Sequence, residues 1–99
     1  MMPGYWIAHI TITDPDRYCG YQEAAPMAFS RYGARFLARG GAAETLEGAA
    51  HERHVLIEFP DYATALACYR SDEYQAARAH RENACEATIV IVEGVSKPG

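Results

Sequence analysis

Apolar and polar residues alternate over residues 5–12, YWIAHITI, and the aromatic and β-branched content predicts a first strand. Alternation sets Trp6, Ala8, Ile10 and Ile12 on one face and Tyr5, Ile7, His9 and Thr11 on the other. Both faces are half apolar or more, so both are expected to be at least partly covered. The period then changes. Tyr18, Tyr21, Ala25, Phe29 and Tyr32 recur at spacings of three and four, which is one face of a helix. Thr13 or Asp14 offers a cap, Pro15 suits the first helical position and Asp16 places an acid in the first turn. Pro26 interrupts the run and predicts a kink or restart, and Gly33 ends it.

Residues 34–39, ARFLAR, predict a second strand, with a bend or bulge at Gly40-Gly41 and a continuation over 42–46. A polar loop, 47–52, leads to a third strand at 53–59, RHVLIEF, whose faces are Val55, Ile57 and Phe59 against His54, Leu56 and Glu58. Pro60-Asp61 opens a second helix carrying Ala65, Leu66 and Tyr69. Ser71 or Asp72 caps a further piece, 73–82, with Tyr74, Ala77 and Arg81. A last strand, 87–93, precedes a tail at 96–99 that is expected to be flexible. The order β-α-β-β-α-β predicts an α+β, ferredoxin-like sandwich with an antiparallel sheet, as one domain over 1–99 with its core at about 3–95. Helices then cover one sheet face. The other would expose Ile7, Leu37, Leu56 and an apolar set of the last strand. Packing two such sheets face to face would bury them, so a homodimer is expected.

Composition narrows the function. A chain of 99 residues with a formal net charge of -4 and a single lysine, Lys97, lacks the basic footprint of a nucleic-acid binder, and its arginines read as scattered or paired with acids. No run of 18 apolar residues predicts a membrane span, and the opening Met1-Met2-Pro3-Gly4 has no secretory pattern, so a cytoplasmic protein is expected. Cys19, Cys68 and Cys85 are odd in number and widely spaced, which suits inert thiols.

Longer matches add a family. Ile12-Thr13-Asp14-Pro15 with Arg17-Tyr18 and Tyr21, then 33–41, GARFLARGG, then Glu44, Leu46-Glu47-Gly48, 55–60, VLIEFP, 69–75, YRSDEYQ, and Val92-Glu93-Gly94 together resemble the family called domain of unknown function 1330. The resemblance covers about 3–95, although Cys68 stands where a bulky aromatic is more usual. It implies a dimeric α+β barrel built from two ferredoxin-like subunits, and it implies no particular reaction.

Candidate chemistry is sparse. Glu58, inside an otherwise apolar strand, must be paired, hydrogen-bonded or wet. It reads as a general base or anchor, or as half of a structural ion pair with Arg39. His9 shares its predicted cavity face with Tyr5 and Ile7, and an imidazole can both give and take a proton, so His9 and Glu58 are the candidate proton movers. Leu37 and Leu56 complete the expected cavity wall. Arg39 offers a guanidinium fork to an acidic ligand. Tyr5, Tyr18 and Tyr74 offer phenols, and Arg81, seven residues after Tyr74, shares its side of the last helical piece. The histidines of His51-x-x-His54 lack a supporting ligand set, so no metal is expected, and no glycine loop or nucleophile motif predicts a cofactor. Two function classes follow. One is a dimer that binds a small organic molecule, with proton transfer or cofactor-independent oxidation as its chemistry. The other is a non-catalytic structural or interaction homodimer.

Overall fold

The computed structural model describes residues 2–96, so the outer part of the predicted tail, 97–99, lies outside the described residues. β1 spans Gly4–Ile12, α1 Pro15–Arg31, β2 Arg35–Arg39, β3 Arg53–Phe59, α2 Tyr62–Arg70, α3 Asp72–Ala79 and β4 Cys85–Glu93. The strands pair antiparallel in the order β2-β3-β1-β4. Trp6 lies opposite Ile57 on one side and Ile91 on the other, and Ala8 opposite Val55 and Ile89. One side of the sheet is therefore apolar from strand to strand. This is the α+β, ferredoxin-like arrangement expected from the element order.

The expected α+β barrel is corrected. β2 and β4 are the two edges of an open sheet, and nothing closes one onto the other. The two edges are held apart by the central β3 and β1, so the sheet is one open layer beneath the helices.

Helices cover the face of Trp6, Ala8 and Ile10. Trp6 is 1% exposed and is ringed by aromatic side chains. Phe29 of α1 meets it edge-on at 5.1 Å, Tyr74 of α3 edge-on at 4.9 Å, and Phe59 of β3 stacks at 6.0 Å. Rings of this size dominate the energy of so small a core.

Local chemistry sets the helix ends. The Asp14 carboxylate accepts the Arg17 backbone N–H at 3.2 Å ahead of Pro15. Asp61 does the same for Thr64 at 2.7 Å, and those bonds hold its carboxyl below the usual range. Ser71 joins α2 to α3. Its hydroxyl donates to the Cys68 carbonyl at 2.7 Å and accepts the Tyr74 N–H at 3.1 Å, which aims Tyr74 at the core.

Two local expectations change. α1 runs unbroken through Pro26, because Ala25, Ala28 and Phe29 around it are buried. Their packing outweighs the one hydrogen bond that proline cannot give to the Gln22 carbonyl. Residues 42–46 are not a strand. β2 ends opposite Val55, and β3 begins at Arg53, so residues 42–46 run past the start of β3 and find no pairing partner there. No helix among the described residues is long and apolar enough to cross a membrane.

Candidate functional site

The site begins with an irregularity in β2. Arg35 pairs with Glu58 and Phe36 with Ile57, but the next pairs are Ala38 with Leu56 and Arg39 with Val55. One residue is extra, so Leu37 and Ala38 together oppose Leu56. A bulge of this kind reverses the alternation beyond it. Phe36 and Arg39 consequently share the helix-covered side. The Phe36 ring meets Phe29 at 5.5 Å, and the Arg39 guanidinium lies 3.4 Å over the Phe36 ring. Arg53 lies opposite Ile10 on the same side. Gly40, at φ +67°, turns the chain past it, and a Cβ there would collide with the Arg53 guanidinium.

Between this side of the sheet and α1 is a cavity of about 160 Å³. Trp6, Phe29, Val55, Ile57 and Ile89 supply its apolar wall, and Arg39, Arg53, Arg81, Tyr18 and Tyr21 its polar one. A cavity of about 150 Å³ accepts a single benzene-sized ring. The ion pairs among the described residues join Arg31 to Glu73 and Arg35 to Glu58, and neither includes Arg39, Arg53 or Arg81. Arg81 instead donates through Nη2 to the Tyr74 hydroxyl oxygen at 3.2 Å and lies 5.1 Å over the Tyr21 ring. The Tyr74 and Tyr21 hydroxyls are hydrogen-bonded at 2.9 Å. Burial is the main cause that pushes the Tyr18, Tyr21 and Tyr74 phenols above their ordinary range, so all three remain protonated donors at neutral pH. The Tyr18 hydroxyl has no hydrogen-bond partner among the described residues and lies on the cavity wall.

Of the residues singled out by sequence, Tyr18, Arg39 and Arg81 meet in this cavity, with Tyr74 directly behind its wall. Tyr5, His9 and Glu58 lie on the opposite face of the sheet. Glu58 takes the Tyr5 hydroxyl at 3.3 Å, and Arg35, not Arg39, is its ion-pair partner at 3.9 Å. The His9 and His54 Nδ1 atoms are 2.8 Å apart, so one donates and the other accepts. His51 Nδ1 bonds Thr11 Oγ1 at 3.0 Å. These three histidines line a wide hollow beneath the 43–49 segment, with Glu44 and Glu47 on its far side. Among the described residues no three or more His, Cys, Asp or Glu side chains converge to hold a metal ion.

Sequence reasoning left Tyr21 in the core and passed over Arg53. Alternation carried a signal for the second: Arg53, Val55, Ile57 and Phe59 share one face of β3. The expectation of scattered or acid-paired arginines is likewise corrected, because three of them gather at one cavity. Of the cysteines, Cys68 is buried, gives its S–H to the Ala28 carbonyl at 3.8 Å and is pushed up by burial to about 12. Such a thiol is inert.

Residues 3–95 match the family described as Domain of unknown function (DUF1330). No curated protein matches. Among solved structures, a protein of unknown function from Rhodopseudomonas palustris is 18% identical, over 97% of this chain and 84% of that one, with a TM-score of 0.77. SnoaB, a cofactor-independent oxygenase from Streptomyces nogalater, is 9% identical, over 98% and 97%, with a TM-score of 0.65. A dimeric ferredoxin-like protein of unknown function from Thermobifida fusca is 18% identical, over 92% and 90%, with a TM-score of 0.54. At these identities the likeness is one of fold.

Proposed function

The chain belongs to the DUF1330 family, and we propose that this member binds a small organic acid, about one ring in size, in the cavity between α1 and the sheet. One observation carries the reading: three guanidinium groups without a carboxylate partner among the described residues line a single cavity whose other walls are apolar side chains, phenols and Gln22. Guanidinium stays charged at any ordinary pH, and Arg53 and Arg81 are half-buried beside apolar wall, where an anion joined by the exposed Arg39 offsets their lost hydration. The ring of the ligand lies on Trp6, Phe29 and Ile57, and its acidic group faces the arginines. Tyr18, Arg39 and Arg81 are its polar contacts. His9 and Glu58 are too far round the sheet to move a proton there, and the cavity wall supplies donors. Binding is therefore what this geometry supports first. The cofactor-independent oxygenase SnoaB has a similar fold, and oxygenation of the bound acid, with molecular oxygen as the oxidant, is the second reading.

The open face belongs to the same proposal. Leu37, Val90 and Val92 are exposed on it beside the half-buried Ile7 and Leu56, and a second copy of the chain is the occupant that covers them. Relatives described as dimeric support that choice. Sedimentation equilibrium should give twice the chain mass, and Val90→Lys should return the mass of one chain.

Thermal melting tests the ligand. Benzoate and cyclohexanecarboxylate should raise Tm, benzyl alcohol should not, and Arg53→Gln should abolish the shift. A shift of equal size with the neutral alcohol, or none with any acid, overturns the reading.

A further inference from the structure

Arg81, Tyr74 and Tyr21 form a line of hydrogen bonds with a direction. Arg81 can only donate, so at 3.2 Å the Tyr74 oxygen is its acceptor. Tyr74 is wholly buried, and among the described residues its hydroxyl meets only Arg81 and Tyr21. Either hydroxyl can donate across the 2.9 Å between them, and the arrangement that leaves no proton of the buried Tyr74 unshared has Tyr74 donating to the Tyr21 oxygen. Tyr21 has then accepted, and its proton remains to be given. Tyr21 lies on the cavity wall, and Tyr74 does not.

We propose that Tyr21 is the specificity-determining contact for a ring oxygen bound in its ionised form, a phenolate or enolate, with Tyr74 and Arg81 as the positioning residues that polarise it. This deepens the organic-acid reading and rests on it. The charge of Arg81 is relayed through two hydroxyls, each of which becomes a stronger donor by accepting from the one before. Such a chain ends in a single, strongly polarised O–H. It suits a lone oxygen carrying concentrated negative charge better than a neutral phenol, whose own proton would also need an acceptor. The surroundings agree. Tyr18 and Arg81 present further donors beside Tyr21, and no carboxylate side chain is among the described residues that line the cavity. Burial keeps the Tyr21 phenol protonated, so the donor is not lost to ionisation at neutral pH.

The probe is 4-nitrophenol, whose absorption spectrum separates phenol from phenolate. It is bound to the full chain at about one pH unit below its free pKa. Wild type should hold it mainly as the phenolate, an apparent shift of tenfold or more in its ionisation. Tyr21→Phe should weaken phenolate binding roughly ten- to a hundredfold, the range for a hydrogen bond to a charged group. Tyr74→Phe leaves Tyr21 and Arg81 on the wall and interrupts the relay. It should move the bound spectrum toward the neutral phenol, a readout that mere loss of packing does not produce. If benzoate raises Tm while wild type binds nitrophenol in its neutral form, this inference is wrong and the organic-acid reading stands. An unchanged bound spectrum in both variants also overturns it. Failure of both benzoate and nitrophenol to bind removes the two together.

Discussion

Along β1, Trp6, Ala8 and Ile10 turn toward the helices and are buried, whereas Tyr5, Ile7 and His9, each one residue away, turn outward and stay partly open. The two faces also treat polar groups differently. On the open face the partners come from neighbouring strands, Glu58 with Tyr5 and Arg35 and His9 with His54, or from the loop just before β3, His51 with Thr11. Cross-strand neighbours are about 5 Å apart, so matched pairs form directly. On the helix side, Arg39 and Arg53 look across a cavity toward α1, which offers phenols and apolar side chains. A charge paired within the sheet needs nothing more. A charge left facing a cavity calls for something from outside, and this difference, more than residue type, separates the candidate site from the structural polar groups.

The largest expected effect tests whether the helix side is the stabilising face. Trp6→Ala should cost about 3–5 kcal/mol in urea denaturation, as for other large aromatic truncations in a core. Val92→Ala on the exposed face should cost less than about 1 kcal/mol in the same measurement. Similar losses at the two positions would erase the contrast.

Alkaline titration sharpens it next. Tyr18, Tyr21 and Tyr74 have raised folded-state values, and the protonated phenol is the form that the fold prefers. Their contribution is fully present below the unfolded value of about 10. Above it the unfolded chain releases protons first, so stability falls as pH rises, by up to about 1.4 kcal/mol per pH unit for each phenol. Denaturation midpoints between about pH 9 and about pH 11 should show this fall, and Tyr74→Phe should flatten it. A profile that stays level would mean that these phenols are not held neutral.

Smaller effects fall on the open face. Glu58→Gln should lower stability far less than Trp6→Ala, because glutamine keeps an acceptor for the Tyr5 hydroxyl and Arg35 is largely exposed and 3.9 Å away. It should leave the benzoate-induced melting shift intact. His9→Gln should also leave that shift unchanged. Loss of ligand response in either variant would move the site to the other side of the sheet.

Much of the fold was legible. Period-two alternation in β1 and β3, the tyrosine and phenylalanine spacing of α1, and the caps at Asp14, Asp61 and Ser71 are local features, and they place the elements within a few residues. The last helical piece was expected over 73–82 but ends at Ala79, so Arg81 reaches the Tyr74 hydroxyl from the turn that follows and not from the same helix. The candidate site was only half legible. Simple alternation puts Arg35, Leu37 and Arg39 on one face, and antiparallel pairing of the second and third strands suggested Arg39 as the partner of Glu58. The bulge inserts one residue, turns Arg39 to the helix side and leaves Arg35 beside Glu58. Such a bulge depends on how β2 docks on β3 and on the packing of Phe36 against Phe29, which are contacts between residues far apart in the chain. The amino-acid sequence by itself determined which segments are strands and helices, because propensity, period and capping act over a few neighbouring residues. Tertiary structure decided which arginines share a cavity and that the Tyr21 phenol ends a polarised line from Arg81, because a one-residue shift in register changes the face of a side chain without changing its strand.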